Sequence, residues 1–240
     1  MPDDRVWSIY AGLDFLTPGA VETLDVASTF VPPGGRVLDV ACGKGAGAML
    51  LAERHGCSVL GVDVHPFAAQ LARRARERGL GGRVAFVTGD GGRLPVRDAV
   101  FDVAMCIGAP SIVGTERCIG EMARALRPGG ALVVSDWVWA RKPVPPEAIP
   151  MGERIEPLTL DEYAVIVGGA GLEIVSAEPL PQSAWDAYYA PLRERVASMR
   201  AERSDGIPQP IEEELRIYDS GLGPEWWRYA VFVGWKAGQG

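Results

Sequence analysis

The chain is written in short apolar blocks separated by polar, glycine-bearing stretches. RVLDVA (36–41), SVLGVDV (58–64), RVAFVTGD (83–90), VFDVAMCIG (100–108) and ALVVSDW (131–137) are mostly continuous in their apolar character and do not alternate. Runs of this kind predict strands buried on both faces, as in a parallel sheet. Segments of helical character lie between them, at about 45–54, 66–79 and 115–127. Pro66 suits a first helical turn and Gly79 a helix end. This alternation through 36–137 predicts a doubly wound α/β sheet with right-handed crossovers and a ligand site outside the C-terminal ends of the strands.

The pattern changes after 137. Five prolines within 137–158 (143, 145, 146, 150 and 157) predict an irregular loop. Thr159 and Glu162 form a capping-box pattern, and Leu158 is placed to staple to Tyr163, so a helix is expected through about Gly168. LEIVSAEPL (172–180) and YAVFVGWK (229–236) read as a sixth and a seventh strand. The stretch between them is too long for a hairpin and predicts a helical insertion.

Composition narrows the function classes. A formal net charge of −7 makes the chain a poor candidate for sequence-independent nucleic-acid binding, which needs a cationic surface. Cys42, Cys57, Cys106 and Cys118 form no CxxC pair, and with His55 and His65 as the only histidines no zinc set and no metal is expected. The cysteines suit a reduced, cytoplasmic protein. The N-terminus lacks the apolar core of a signal peptide, and no run is long enough to span a membrane.

The stretch VLDVACGKGAG (37–47) carries the candidate chemistry. Gly43 and Gly45 suit close approach of backbone to a ligand, and the following helix offers free N–H groups to a carboxylate. Asp63 lies 20 residues after Gly43, a spacing suited to ribose hydroxyls. Asp90 suits an adenine amino group. Asp39 suits an ammonium, held directly or by ordering the turn. Carboxylate, ammonium, ribose and adenine together describe S-adenosylmethionine (SAM).

VLDVACGKG, GVDV (61–64), GDGGRLPVRDAVFDVAMC (89–106) and ALRPGGALVVSD (125–136), in this order and spacing, resemble the class I SAM-dependent methyltransferases, within their bacterial small-molecule (quinone-type and natural-product) group. The resemblance covers about 35–137. It implies a Rossmann-like seven-stranded sheet of order 3-2-1-4-5-7-6 with strand seven antiparallel. It further implies Asp39, Ala41 and Gly43 at the methionine end of SAM, Asp63 at the ribose, Val64 against the adenine, Asp90 at the adenine amino group with Gly91 beside it, and Ile107 near the sulfonium; Cys42 and Gly45, in the same turn, are further cofactor-binding candidates. The family often has glycine where this chain has Ala41.

Two rival readings stand beside this one. Gly43, Gly45 and Ala48 satisfy G-x-G-x-x-A, as in an NAD(P)-dependent oxidoreductase, but Asp39 would meet a pyrophosphate unfavourably. A non-catalytic SAM-binding protein would keep the same motifs. Strand four ends CIGAPS, without the Asn/Asp-Pro-Pro-aromatic sequence that holds a flipped base.

The expected organisation is a single domain over 1–240. Within it lie an N-terminal helical or lid segment (1–30), a SAM-binding core (35–137) and a helical cap (181–228). A small-molecule acceptor is expected under the cap and the N-terminal segment, with Trp185, Tyr188 and Tyr10 as its contacts and Trp7 nearby. Trp185, Tyr188, Tyr189, Leu192, Val196 and Met199 share a helical face, a pattern that equally suits a packed core. Asp136, ending strand five, is the candidate general base.

Overall fold

A computed structural model describes residues 9–10, 13–150, 158–202 and 206–238. The chain forms one seven-stranded sheet of order β3-β2-β1-β4-β5-β7-β6. Its strands are β1 (Arg36–Val40), β2 (Ser58–Asp63), β3 (Val84–Thr88), β4 (Phe101–Ile107), β5 (Leu126–Trp139), β6 (Glu173–Pro179) and β7 (Trp227–Trp235). β3, β2, β1, β4 and β5 are parallel, and β7 runs antiparallel between β5 and β6. Strand order and the direction of β7 are those expected from the sequence.

Both faces of the sheet are covered, which is why its central strands are apolar throughout. One face of β1, β4 and β5 packs with α1 (Ala20–Thr29) and α2 (Ala46–His55) through Val37, Met105, Val133, Leu24 and Leu51. On the same face, α3 (Ala68–Glu77) covers β3 through Leu71 and Ala75. On the opposite face, after the single-turn α4 (Pro110–Val113), α5 (Thr115–Ala125) and α6 (Leu160–Gly169) bury Ile119, Met122 and Tyr163 against Leu38, Leu132 and Phe232. The capping box at Thr159 forms in full.

A third core lies beyond the strand ends. It joins α7 (Gln182–Glu202), α8 (Gln209–Asp219) and α9 (Leu222–Trp226) to Trp139, Trp227 and Tyr229. These helices are the insertion expected between β6 and β7.

Three expectations change. β5 is longer than 131–137, because Leu126 already pairs with Phe101, and RPGG then bulges before Ala131 pairs with Val103. The far end of β5 reaches Trp139 by pairing with Trp227 across β7. Residues 13–19 are bends, a turn and irregular chain, not helix. Trp7 lies outside the described residues.

Candidate functional site

The parallel ladders bring Val40, Asp63, Thr88 and Ile107 to one edge of the sheet, and the connections leaving these strands wall a cavity of about 270 Å³ there. Asp39, Ala41, Cys42, Gly43, Asp63, Val64, Gly91 and Ile107 all line it. Gly43 has a φ of +50°, and the nearest atom to an added Cβ would be Leu16 Cδ1 at 3.8 Å. Its hydrogen atom therefore borders open cavity space, and the backbone conformation itself favours glycine. Ala41 has a φ of +54°, which a Cβ-bearing residue adopts at a cost.

Asp63 holds this turn together. One carboxylate oxygen accepts from the Gly43 N–H at 2.8 Å and the other from the His65 N–H at 2.9 Å. Each oxygen keeps a lone pair for a ligand hydroxyl. Asp39 is 4% exposed, and burial, with the nearby Asp63 charge adding, pushes its carboxyl up to about 8; the Ala48 amide acts in the opposite direction. A buried acid of this kind suits a cationic ligand group, which would stabilise its charged form. Burial, then Asp39 and Asp63, push the Cys42 thiol far above its ordinary range, so it stays uncharged.

Two sequence candidates stand apart from the cavity wall. Gly45 is adjacent in sequence, but its added Cβ would lie 2.7 Å from Phe86, so its small size serves packing of the turn on β3. Asp90 is exposed and accepts from the Gly92 N–H at 2.8 Å, an Asx turn that shapes its own loop. Its neighbours Gly89 and Gly91 form the wall instead.

Lys44 was missed by motif reasoning. It lines the cavity, donates to the Leu13 carbonyl at 2.9 Å and also donates to the Tyr10 carbonyl. The glycine turn is thereby tied to the segment that carries Phe15, Leu16 and Thr17 over the cavity. No local signal marks that contact.

A second cavity, of about 200 Å³, lies under the cap. Leu16, Thr17, Gly108 and Ile112 belong to the walls of both cavities. At this junction Thr17 and the Tyr229 hydroxyl are hydrogen-bonded, and a Cβ on Gly108 would overlap both. Trp185, Tyr188 and Tyr10 line the second cavity, and the Tyr10 and Tyr188 hydroxyls are 3.3 Å apart. Trp185 and Tyr188 also pack in the third core, so their pocket and core roles coincide. Tyr218 and Trp226 are not in the wall, and Trp226 lies under Arg141 at 3.9 Å.

Asp136 lines this cavity too, but its lone pairs are taken. Oδ1 accepts from Ser111 Oγ and the Trp137 N–H, each at 2.8 Å. Oδ2 accepts from the Ser111 N–H at 2.7 Å and the Tyr163 hydroxyl at 3.2 Å. Burial raises its carboxyl to about 6, against the lowering effect of these donors. Four donors on two oxygens leave it no vacant site for a proton, so it fixes α4 and β5 and is poorly placed as a general base.

Residues 37–130 match the family described as a methyltransferase domain. YjhP, an uncharacterized protein of Escherichia coli, is 32% identical over 194 residues, 77% of each chain. The 27-O-demethylrifamycin SV methyltransferase of Amycolatopsis mediterranei is 33% identical over 159 residues, 62% of this chain and 58% of its own length. A Geobacter sulfurreducens SAM-dependent methyltransferase, solved with S-adenosylhomocysteine (SAH), superposes with a TM-score of 0.77 at 28% identity over 97% of each chain.

The chain belongs to the class I SAM-dependent methyltransferases. Its cofactor is SAM. The residues present fit that cofactor, since Gly43 leaves room at the turn and the buried Asp39 calls for a cation. Among the described residues this methyltransferase has no cluster of three or more metal-ligating side chains, and no helix long and apolar enough to cross a membrane.

Proposed function

We propose that this methyltransferase acts in the cytoplasm on a small-molecule acceptor by in-line displacement, with no nucleic-acid or membrane partner. The observation that carries the reading is the pair of cavities meeting at Gly108 and Thr17. SAM, when bound, supplies an electrophilic methyl group. The first cavity then orients the cofactor, with Asp39, Ala41 and Gly43 at its methionine end, Cys42 in the wall beside them, Asp63 at the ribose, Val64 and Gly91 at the adenine, and Ile107 toward the junction. Asp90 and Gly45 support this arrangement by shaping the adjoining turns.

The second cavity places the acceptor. Asp14 and Phe15 border the first space, Pro18 the second, and Leu16 and Thr17 both, so this part of the N-terminal segment acts as a lid over the core, while the 181–228 insertion acts as the roof. Such a scaffold contributes by alignment at a reacting distance of about 3–3.5 Å and by exclusion of water. Because Asp136 is saturated, the acceptor must present its own lone pair. The four free cysteines suit a reducing compartment. The size of the second cavity supports a small molecule, and the rifamycin-type relative is named for one.

Calorimetric titration with SAH, followed by SAH-formation assays on an acceptor panel, tests the reading. Trp185→Leu and Tyr188→Leu should raise acceptor KM while SAH affinity stays within about twofold. If both variants only lower the melting temperature and leave acceptor kinetics unchanged, the second cavity is not the acceptor site.

A further inference from the structure

Methyl transfer needs a point at which the cofactor cavity opens into the acceptor cavity. Among the described residues, Leu16, Thr17, Gly108 and Ile112 line both spaces. Leu16 and Ile112 present hydrocarbon there and Gly108 has no side chain, so the polar side-chain atom of this junction is the Thr17 hydroxyl. The Tyr229 hydroxyl, in the wall of the second cavity, is hydrogen-bonded to it. We propose that the paired Thr17 and Tyr229 hydroxyls face the methyl group of bound SAM and hold it in line for the acceptor. The proposal rests on the reading that SAM occupies the first cavity and the acceptor the second.

The fold brings the two oxygens together from separate directions and fixes each. Tyr229 sits on β7 opposite Trp137 of β5, and its carbonyl accepts from the Leu180 N–H at 2.7 Å. Its ring stands edge-on to Trp185 at 5.9 Å, and the residue is 5% exposed. Thr17 lies in a strap that is tied at both ends. Before it, Lys44 donates to the Tyr10 and Leu13 carbonyls; after it, Thr23 Oγ1 donates to the Gly19 carbonyl at 2.7 Å as α1 begins. Gly108, just past the end of β4, completes the arrangement. Its φ is +71°, and a Cβ there would overlap both hydroxyl oxygens, so only a glycine lets the pair approach this strand end.

Hydrogen-bond accounting leaves the pair capacity for a ligand. Two neutral hydroxyls carry one hydrogen each, and the bond between them uses one hydrogen and one lone pair. Burial, and then the Asp136 charge, push the Tyr229 hydroxyl well above its ordinary range, with Thr17 acting the other way, so it stays protonated. Neither hydroxyl has another hydrogen-bond partner among the described residues. Lone pairs on these oxygens are therefore open at the junction. The hydrogens of a sulfonium methyl share its positive charge, and C–H···O contacts to such lone pairs orient the methyl without adding a base. A charged N–H donor at the same point would be held more strongly.

That last property supplies the test, which needs no acceptor. Sinefungin is the analogue of SAH in which sulfur is replaced by a carbon bearing an amino group where SAM carries its methyl. Sinefungin and SAH are each titrated by calorimetry into the full chain, into Thr17→Val and into Tyr229→Phe. The unaltered chain is expected to bind sinefungin at least about fivefold more tightly than SAH, as a charge-assisted hydrogen bond predicts. Each variant should lower that ratio about threefold or more. A merely structural role for the pair would weaken both ligands alike and leave the ratio unchanged. If one variant fails to fold, the other carries the test. A smaller preference in the unaltered chain, or a ratio lowered less than threefold in either folded variant, overturns the assignment of the pair to the methyl. Failure of the unaltered chain to bind SAH is a distinct result, and it overturns the cofactor reading together with the proposal that stands on it.

Discussion

Cofactor binding should release a proton from Asp39. With its carboxyl raised to about 8 in the free protein, Asp39 is about nine-tenths protonated at pH 7. An ammonium brought against it favours the charged form and draws the pKa back toward the ordinary carboxylate range. The amino group of the ligand, with an ordinary pKa of about 8, takes up at most about 0.1–0.2 proton in return. Net release near pH 7 is therefore about 0.7 proton per SAH bound. Titration calorimetry in phosphate and in Tris reads this directly, since the observed enthalpy changes with buffer ionisation enthalpy in proportion to the protons exchanged. Asp39→Asn should abolish the release, leaving at most the small uptake by the ligand amine, and weaken binding. A wild-type enthalpy independent of buffer, or the same release from Asp39→Asn, would refute the assignment of Asp39 to the ammonium. The same group sets a stability trend in the free protein. Its folded pKa lies above its unfolded value, so its contribution is full below about pH 4 and is lost as pH rises to about 8, at up to about 1.4 kcal/mol per pH unit. Urea denaturation of Asp39→Asn should lack that slope across this window.

Other outcomes follow from the glycine turn. Asp63→Ala should weaken SAH binding by about 1–3 kcal/mol, because charge-assisted bonds to the ribose are lost along with those to the Gly43 and His65 amides; unchanged affinity in a folded variant would remove the ribose assignment. Gly43→Val places a branched side chain at a φ of +50° and into the cavity, and should abolish measurable SAH binding; normal binding by this variant would undo the reading of the turn. Ala41→Gly should raise stability by about 0.5–1 kcal/mol, the relief of left-handed strain less the added entropy of the unfolded chain, read as a shift in urea midpoint.

The alternation of unbroken apolar blocks with helical segments is enough to specify a covered parallel sheet, because the requirement to bury both strand faces acts residue by residue along the chain. Gly43 and Asp63 were legible for a related reason, since β1 and β2 are neighbours and a spacing of 20 residues returns the chain to the same edge. The capping box at Thr159 is a contact between residues three apart and was legible too. Contacts between distant residues leave no such mark. Lys44 reaches the carbonyls of Tyr10 and Leu13, and Thr17 meets Tyr229, across more than 200 residues, only once β7 has inserted beside β5. Likewise, whether a polar side chain faces a ligand or is consumed by its surroundings depends on every donor within reach. Asp90 closes its own turn, Gly45 makes room for Phe86, and Asp136 is filled by Ser111, Trp137 and Tyr163. Periodicity, which acts locally, determined the sheet and the glycine turn; packing between remote segments decided the shape of the second cavity and which polar groups face it.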